Sequence, residues 1–287
     1  MVFSAESPQL RPAGESTVPV AATSAGERDA DAHYRMAKRY AKGEGVPQDN
    51  AKAAAYMRQA AEQGLAKAQN DLGAMYARGQ GVGQDFEEAG RWYRRAAEQG
   101  DPLAQYSMGR ISLLGRGVPQ DKAAAREWYR KSAEQNQPEA QGALGNLYFT
   151  GDAGETNYTK AAQWLRKAAE QGYVGAMNNL GFLYEYGMGV TRDPKEAARW
   201  YLAGAEKNDP KAQANYGLMC GEGSGGVPRD VVQGYKWLRL SSLQGDPIGK
   251  KHMLDFDNGG WDITNDQVAD AERQVSDFLR QCRQSKP

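Results

Sequence analysis

Few side chains in this sequence could do chemistry, and they do not group along it. The 287 residues contain two histidines, His33 and His252, and two cysteines, Cys220 and Cys282. A histidine metal pair or a histidine-based triad needs its members within one site, and the two histidines lie near opposite ends of the chain. Carboxylates are plentiful, but most fall at helix caps or on solvated helix faces. We therefore predict no catalytic residues, no metal site and no cofactor, in a protein that is not an enzyme.

Glycine-rich segments are the other feature that could signal chemistry, because such loops can bind phosphate. They read Gly43-Glu-Gly-Val46, Gly79-Gln-Gly-Val82, Gly115-Arg-Gly-Val118 and Gly187-Met-Gly-Val190. A phosphate loop would occur once, after a strand, and would carry a lysine followed by serine or threonine. These segments recur periodically and lack those residues. We interpret them as helix stops, in which glycine supplies the positive φ that ends a helix.

The elements that position these residues repeat with a constant spacing of 36 residues. An alanine marks each copy, at Ala32, Ala68, Ala104, Ala140, Ala176 and Ala212. Mostly apolar or aromatic residues follow four and eight positions later, which places them on the same helix face. A glycine falls between them in five copies, as at Gly109 and Gly181, although glycine inside a helix costs about 1 kcal/mol relative to alanine. We expect a second helix to cross this first helix, helix A, at close range.

A second helix, helix B, follows each turn. Aspartates that would cap it stand at Asp49, Asp85, Asp121, Asp193 and Asp230. Its apolar face alternates alanines with large aromatic residues, which we predict to be core: Tyr56, Trp92, Trp128, Trp164, Trp200 and Trp237. Two copies depart from the pattern. The fourth has Asn157 in place of the aspartate, and the turn of the sixth, residues 221–227, is one residue longer.

This pattern resembles the SEL-one-like repeat, a relative of the tetratricopeptide repeat. It can be written Ala-x3-Leu-Gly-x2-Tyr-x2-Gly-x-Gly-Val-x2-Asp-x6-Trp-Tyr-x2-Ala-Ala-Glu-Gln-Gly, and six copies cover about Ala32 to Gly245. The resemblance implies an all-α fold, an α-α superhelix (solenoid) of six helix-pair repeats of about 36 residues. Members of the family are chiefly protein-binding scaffolds and are common in bacteria.

Three regions are expected along the chain. Residues 1–28 read as a disordered N-terminal tail, because they are rich in proline and small polar residues and show no apolar periodicity. Residues 29–247 hold the six repeats, and residues 248–287 hold a degenerate repeat and a C-terminal capping helix. Thr264-Asn-Asp-Gln267 predicts a capping box at the start of that last helix. Its apolar face would cover the exposed core of the final repeat.

Composition and charge limit the expected partners and compartment. The 36 basic and 36 acidic residues cancel, and the chain has no basic runs, so we expect no nucleic-acid partner. We find neither a signal peptide nor a membrane-spanning segment in the chain as given. This favours a cytoplasmic protein, or one of the bacterial periplasm if an upstream signal or lipid anchor has been removed.

The two cysteines leave two interpretations open. Cys220 stands at a core position of helix A in the sixth repeat, and the terminal helix that carries Cys282 should pack against that repeat. Both could be buried thiols. Alternatively, they could form a disulfide, which would indicate an oxidising compartment.

Helix A would line the concave wall of the superhelix, as the resemblance to tetratricopeptide folds implies. Side chains turned away from the core lie two, six, nine and ten positions after the alanine. The partner-binding residues predicted by this rule are Tyr34, Lys38, Lys42, Asn70, Arg78, Tyr106, Arg110, Leu113, Leu114, Asn146, Phe149, Asn178, Phe182, Glu185, Tyr186, Leu218 and Glu222. This groove begins basic and becomes aromatic, and exposed apolar residues rimmed by polar ones are typical of interaction sites. The alternative is that adjacent A helices bury some of the aromatic rings.

We therefore predict a non-catalytic scaffold that holds a peptide or a folded protein in the concave groove. A second hypothesis, from the family resemblance alone, is a bacterial immunity protein that neutralises a secreted toxin, for example a phospholipase effector. A third comes from cysteine-rich relatives described as penicillin-binding hydrolases. Those relatives carry a cysteine pair in each repeat and this chain does not, so their activity is not carried over.

Overall fold

The computed structural model describes residues 20–152, 154–257 and 261–284, and every regular element in these ranges is a helix. The helices are α1 (Val20–Lys42), α2 (Asn50–Glu62), α3 (Ala66–Arg78), α4 (Phe86–Glu98), α5 (Pro102–Leu114), α6 (Lys122–Glu134), α7 (Pro138–Thr150), α8 (Tyr158–Glu170), α9 (Val174–Tyr186), α10 (Pro194–Glu206), α11 (Pro210–Glu222), α12 (Val231–Leu243), α13 (Pro247–Asp257) and α14 (Asn265–Gln284). The predicted all-α architecture of helix-pair repeats is confirmed.

The chain divides into two compact units. Unit 1 is Met1–Asp85, with α1 to α3, and unit 2 is Phe86–Pro287, with α4 to α14. In unit 1, α2 packs on α1 and α3. In unit 2, each helix from α4 to α13 packs against the next one along the chain, both within a repeat and across each repeat boundary, where a B helix meets the following A helix. Five A helices, α5, α7, α9, α11 and α13, therefore belong to unit 2.

Local capping starts and stops these helices as the sequence predicts. The carboxylates of Asp49, Asp121, Asp193 and Asp230 each accept backbone N–H bonds in the first turn of the helix that follows. Asn157 does the same for α8 through a 2.9 Å bond from the backbone N of Lys160, so the amide replaces the aspartate without loss of the cap. Gly79 and Gly187 end α3 and α9 in the left-handed conformation, with φ of +67° and +68°.

The glycine inside helix A lies where helix B of the same repeat crosses it. A Cβ at Gly181 would come within 2.7 Å of Cδ1 of Tyr201, and one at Gly145 within 2.7 Å of Cγ of Leu165. The predicted close crossing is confirmed. Packing of the ring or the leucine against bare backbone offsets the conformational cost of the glycine.

The side chain over that glycine is not the tryptophan but the residue after it. Tyr201 and Leu165 are fully buried, whereas Trp128 and Trp164 are only half-buried. The prediction that these aromatic residues are core holds for Trp92, Trp200 and Trp237. Tyr56, Trp128 and Trp164 are only half-buried, although Trp164 packs against the core cluster of α6 and α7. The cause is helical geometry, because the successive residue lies 100° further round the helix and points directly at helix A.

A buried glutamine joins consecutive repeats and was not anticipated. Gln105 donates a hydrogen bond of 3.2 Å from Nε2 to the backbone oxygen of Ala97, at the end of the preceding helix B. The same bond recurs from Gln69 to Ala61, from Gln141 to Ala133 and from Gln213 to Ala205. Each amide satisfies one of the carbonyls that a helix end leaves unpaired, which makes burial of a polar side chain tolerable.

The ends of the chain differ in part from expectation. Residues 1–19 of the predicted disordered tail lie outside the described residues. Helix α1 begins at Val20, inside the range assigned to that tail, because alanines there favour continuation of the first repeat's helix. At the other end the predicted capping box forms: Thr264 N donates to Gln267 Oε1 and Gln267 N donates to Thr264 Oγ1, at 2.9 and 3.3 Å.

No helix in the described ranges has the length and apolar content needed to span a membrane.

The disulfide interpretation is not supported, since both cysteines are free thiols. Cys220 is buried in a cluster with Trp237, Leu240 and Val275. Cys282 follows Val275 by seven residues, which is about 10 Å of helix rise. Burial raises the pKa of the Cys220 thiol to about 11.

The two thiols should therefore differ in reactivity. At pH 8 we expect iodoacetamide to modify Cys282 in the native protein and to spare Cys220, because Cys220 is both inaccessible and protonated. Mass spectrometry of the labelled peptides measures the extent of modification at each cysteine. Labelling in denaturant is the control that shows that both thiols can react. Equal native labelling of both, or no free thiol before reduction, would contradict the assignment.

Candidate functional site

In unit 1 three of the predicted groove residues are engaged with acidic side chains of the same unit. Lys38 Nζ lies 3.1 Å from Asp71 Oδ2, and Lys42 Nζ lies 3.3 Å from Glu44 Oε1. The hydroxyl of Tyr34 also donates to Asp71, at 2.9 Å. These acids neutralise the basic start of the groove that the sequence predicts.

The other two predicted groove residues of unit 1, Asn70 and Arg78, differ in their exposure to solvent. Asn70 is buried, with 9% of its surface exposed, and has little to offer a partner. Arg78 is exposed and stands at the end of α3 with no ion pair to the described residues. Of the groove residues predicted in unit 1, only Arg78 is therefore an exposed cation without an ion pair to the described residues, in place of the predicted basic wall.

In the third repeat the predicted residues divide between core and surface. The ring of Tyr106 packs 5.7 Å from that of Tyr129, and Arg110 lies over Tyr106. Leu113 packs against the buried cluster of α6 and α7, whereas Leu114 is 52% exposed. Only Arg110 and Leu114 are free to meet a partner.

Helices α7 and α9 present a continuous group of aromatic rings, which we call the aromatic cluster: Phe149, Phe182 and Tyr186. Phe149 and Phe182 meet edge to face with ring centroids 5.8 Å apart, and Phe182 and Tyr186 are 4.6 Å apart. The first two rings are half-buried and Tyr186 is 59% exposed. Phe149 also packs against the core cluster of α8 and α9, whereas Phe182 and Tyr186 do not pack against that cluster. Adjacent helices thus bury the rings only partly, and an apolar surface remains.

A cavity of about 840 Å³ opens beside the aromatic cluster, between α9, α11 and α13. Phe182 and Tyr186 form one wall, and Leu218 and Ile248 form apolar parts of the others. Ile248 is 38% exposed. The size of the cavity suits one or two amino-acid side chains with part of their backbone.

Polar groups line the same cavity. The predicted residues Asn178, Glu185 and Glu222 are joined by residues that the sequence rule did not select: Lys211, Asn215, Lys251 and His252. Glu185 accepts a 2.7 Å hydrogen bond from the hydroxyl of the buried Tyr201, which fixes its carboxylate. Asp246 also lines the cavity, but it is buried and its carboxylate accepts the backbone N–H groups of Ile248 and Gly249.

Asparagine side chains form a hydrogen-bonded chain along three A helices, which we call the asparagine chain. Asn179 Nδ2 donates to Asn146 Oδ1 at 2.7 Å, from α9 to α7. Asn178 Nδ2 donates to Asn179 Oδ1 at 3.2 Å, and Asn215 Nδ2 of α11 donates to Asn178 Oδ1 at 2.8 Å. All four are half-buried, so each amide is held in place with part of its surface open.

The missed residues had a partial signal in the sequence. Gly249 follows Ala212 by about one repeat, and Lys251 stands two positions after it, where the offset rule would have placed a groove residue. The segment reads as a degenerate repeat, and the predicted groove therefore ends before α13. Asn179 and Asn215 share the third position after the repeat alanine, which the rule did not include.

Trp261 closes the far end of this surface. A second cavity, of about 580 Å³, is lined by Trp261 with Leu218, Arg229 and Asp255, among others. The indole lies against bare backbone of α11, since a Cβ at Gly221 would come within 1.5 Å of its Cζ3 atom.

Gly221→Ala should dislodge this ring. We expect a fall of about 1–3 kcal/mol in the free energy of unfolding, as for other overpacked sites, with a red shift in tryptophan emission. Gly90→Ala is a suitable control, because Gly90 also lies in a helix and a Cβ there would come no closer than 3.3 Å to Cγ1 of Val118 and 3.5 Å to Cδ1 of Ile111. Unchanged stability and emission in Gly221→Ala would mean that Trp261 is not seated on α11.

Chemically, the site offers apolar contact, amide hydrogen bonds and exposed charges. No group of three or more histidine, cysteine or acidic side chains suited to a metal ion occurs in the described part of the chain. His252 lies 3.0 Å from Asp255, from Nδ1 to Oδ2. The arrangement is suited to binding polypeptide.

Comparison with known proteins identifies the repeats. The Sel1 repeat matches six consecutive segments, residues 30–65, 66–101, 102–137, 138–173, 174–209 and 210–246. The chain belongs to the Sel1 repeat family. Sel1 repeats form scaffolds that mediate protein–protein interactions.

Two solved structures are similar over most of the chain. A protective antigen present in uropathogenic Escherichia coli strains is 35% identical, with a TM-score of 0.73 over 86% of this chain and 54% of that protein. The chain thus spans about half the length of that relative. A Sel1 repeat protein from Oxalobacter formigenes is 31% identical, with a TM-score of 0.73 over 88% of this chain and 95% of that protein.

A more distant similarity is to an immunity protein from Pseudomonas aeruginosa. It is 24% identical, with a TM-score of 0.45 over 77% of this chain and 82% of that protein. A likeness at this level carries no argument about function, so the immunity hypothesis stays a prediction. No curated protein matches the chain.

Proposed function

We propose that this chain is a non-catalytic scaffold that binds a polypeptide segment of a partner protein on the A-helix surface of unit 2. The observation that carries the proposal is the aromatic cluster beside the 840 Å³ cavity. Tyr186 and its neighbours leave apolar area in contact with water, and burying it on a partner would release about 25 cal/mol for each Å² covered. Aromatic residues next to a pocket are the residues that most often dominate binding energy at protein interfaces.

The groups around the cavity favour binding over catalysis. Glu185 is fixed by Tyr201, Asp246 caps α13, and His252 is paired with Asp255. The only thiol in these A helices, within the described residues, is that of Cys220, and its raised pKa keeps it protonated at neutral pH. Asp246 is thereby occupied, and Glu185 and His252 are held in orientations in which they can contact a ligand.

Affinity capture tests the proposal. Tagged wild-type chain is compared with a Phe182→Ala, Tyr186→Ala variant and with a control, Leu243→Ala, Leu254→Ala. The control residues are 52% and 61% exposed and lie outside the cavity. We expect a partner to be retained by wild type and control and lost by the first variant. A partner retained equally by all three would place binding elsewhere and reject the proposal.

The identity of the captured partner then distinguishes two kinds of scaffold. If the partner is a toxic enzyme whose activity falls on binding, the chain acts as an immunity protein. If the partner's activity is unaffected, it acts as an adaptor.

A further inference from the structure

The charged side chains that line the cavity are separated by sign, with the lysines and the glutamates at opposite edges. Lys211 is the second residue of α11 and Lys251 the fifth of α13, so both lie towards the helix starts. Glu222 is the last residue of α11, and Glu185 lies one residue before the end of α9. The A helices run side by side in the same direction, since Asn178 and Asn215, each in the second turn of its helix, are hydrogen bonded. One edge of the cavity is therefore basic and the opposite edge acidic.

These charges are available to a ligand. Lys211, Lys251 and Glu222 are exposed, and none has an ion pair with the described residues. Asp246 lies at the basic edge, but its carboxylate is buried and occupied by two backbone N–H groups. The helix macrodipoles add to the same division, because helix starts carry partial positive charge and helix ends partial negative charge.

Asn178 and Asn215 of the asparagine chain line the cavity between Lys211 and the acidic edge, and they are level with Lys251 in the repeat register. Each asparagine amide has two N–H donors and a carbonyl oxygen, and Asn215 uses only one donor within the chain. The remaining groups are the partners that a peptide backbone requires. In an extended segment the side chains alternate to opposite sides, and the backbone N–H and C=O groups lie between them.

Resting on the function proposed above, we infer that the occupant is an extended peptide in which acidic and basic side chains alternate. An aromatic residue takes the place of one of the basic residues. Acidic side chains would face Lys211 and Lys251, basic ones would face Glu185 and Glu222, and the backbone would lie on the asparagine chain. The aromatic residue would enter the cavity beside Phe182. Three helices about 10 Å apart span about 20 Å, which an extended chain covers in about six residues.

The probe is a nine-residue peptide with acetylated and amidated ends. Glutamate occupies the odd positions and arginine the even ones, except that position four is tryptophan. A second peptide has the same composition with its glutamates and arginines in separate blocks. A third has glutamine in place of every glutamate. Fluorescence anisotropy of dye-labelled peptides gives each affinity for the full chain.

We expect the alternating peptide to bind at least about tenfold more tightly than the block peptide. Lys211→Gln, Lys251→Gln should weaken the alternating peptide about tenfold and leave the glutamine peptide within about twofold. The matched control is Lys207→Gln, Lys250→Gln, which changes net charge equally at exposed lysines outside the cavity. Circular dichroism verifies that each variant is folded.

Three results would overturn the inference. They are equal binding of the alternating and block peptides, equal weakening by the control pair, and no detectable binding of any peptide. The Phe182→Ala, Tyr186→Ala variant separates this from failure of the proposed function. If that variant loses its captured partner while the lysine variant keeps it, the groove binds a partner of different charge pattern and only the inference fails.

Discussion

Replacing Phe182 and Tyr186 by alanine should lower the affinity for the partner segment about 100-fold. Tyr186 is 59% exposed and Phe182 lies 4.6 Å from it, so a bound segment would bury both rings. Interface residues of this type contribute about 2 kcal/mol or more each, and two such losses are not strictly additive. Titration calorimetry of the captured partner against wild type and variant measures the effect.

The stability of the variant must be unchanged for this result to concern binding. Neither ring packs against the core cluster that Phe149 contacts, so their loss should lower the thermal unfolding temperature less than Phe149→Ala would. Leu243→Ala and Leu254→Ala remove equally exposed apolar side chains away from the cavity. An affinity loss of less than about threefold in the double variant, or an equal loss in the control, would show that the aromatic cluster is not the binding surface.

Gly189→Ala should be among the most destabilising single changes in unit 2. Gly189 is in the turn after α9 with φ of +70°, and a Cβ there would lie 2.2 Å from the backbone carbon of Tyr158, at the start of α8. The left-handed backbone costs about 1–2 kcal/mol for a residue with a side chain, and the clash with backbone adds about 1–3 kcal/mol. We expect the free energy of unfolding to fall by about 3 kcal/mol.

Gly172→Ala separates the two contributions. Its φ is +86°, but a Cβ there would meet nothing within 4 Å. We expect it to lower stability by only about 1–2 kcal/mol, the backbone contribution alone. Urea denaturation of both variants gives the comparison. Equal losses would mean that the turn does not pack on α8 and that glycine is needed there only for its backbone angle.

This pair shows why the turns were predictable in part. The positive φ of the glycines could be read from the sequence, because a helix stop is decided by adjacent residues. The contact of Gly189 with α8, the helix B of the previous repeat, could not be read from the sequence, because it depends on how two repeats stack. The capping aspartates and the capping box at Thr264 were local in the same way, and they form as predicted.

The candidate site was only partly predictable for a related reason. The offset rule selected Phe182, Tyr186 and Asn178, which do line the cavity. It could not foresee that Lys38 would be neutralised by Asp71 from the next repeat, since that ion pair depends on side-chain reach. It also missed Lys251, because α13 departs from the repeat pattern although it packs as a further A helix.

Site-specific photocrosslinking tests most directly whether a partner binds on the A-helix surface of unit 2. A benzophenone amino acid is placed at Ser224, which lines the cavity, or at Gln163, which is exposed on helix B α8. With the captured partner bound, we expect a crosslink from position 224 and none from position 163. A crosslink from 163 without one from 224 would contradict the account and place the partner on the B helices.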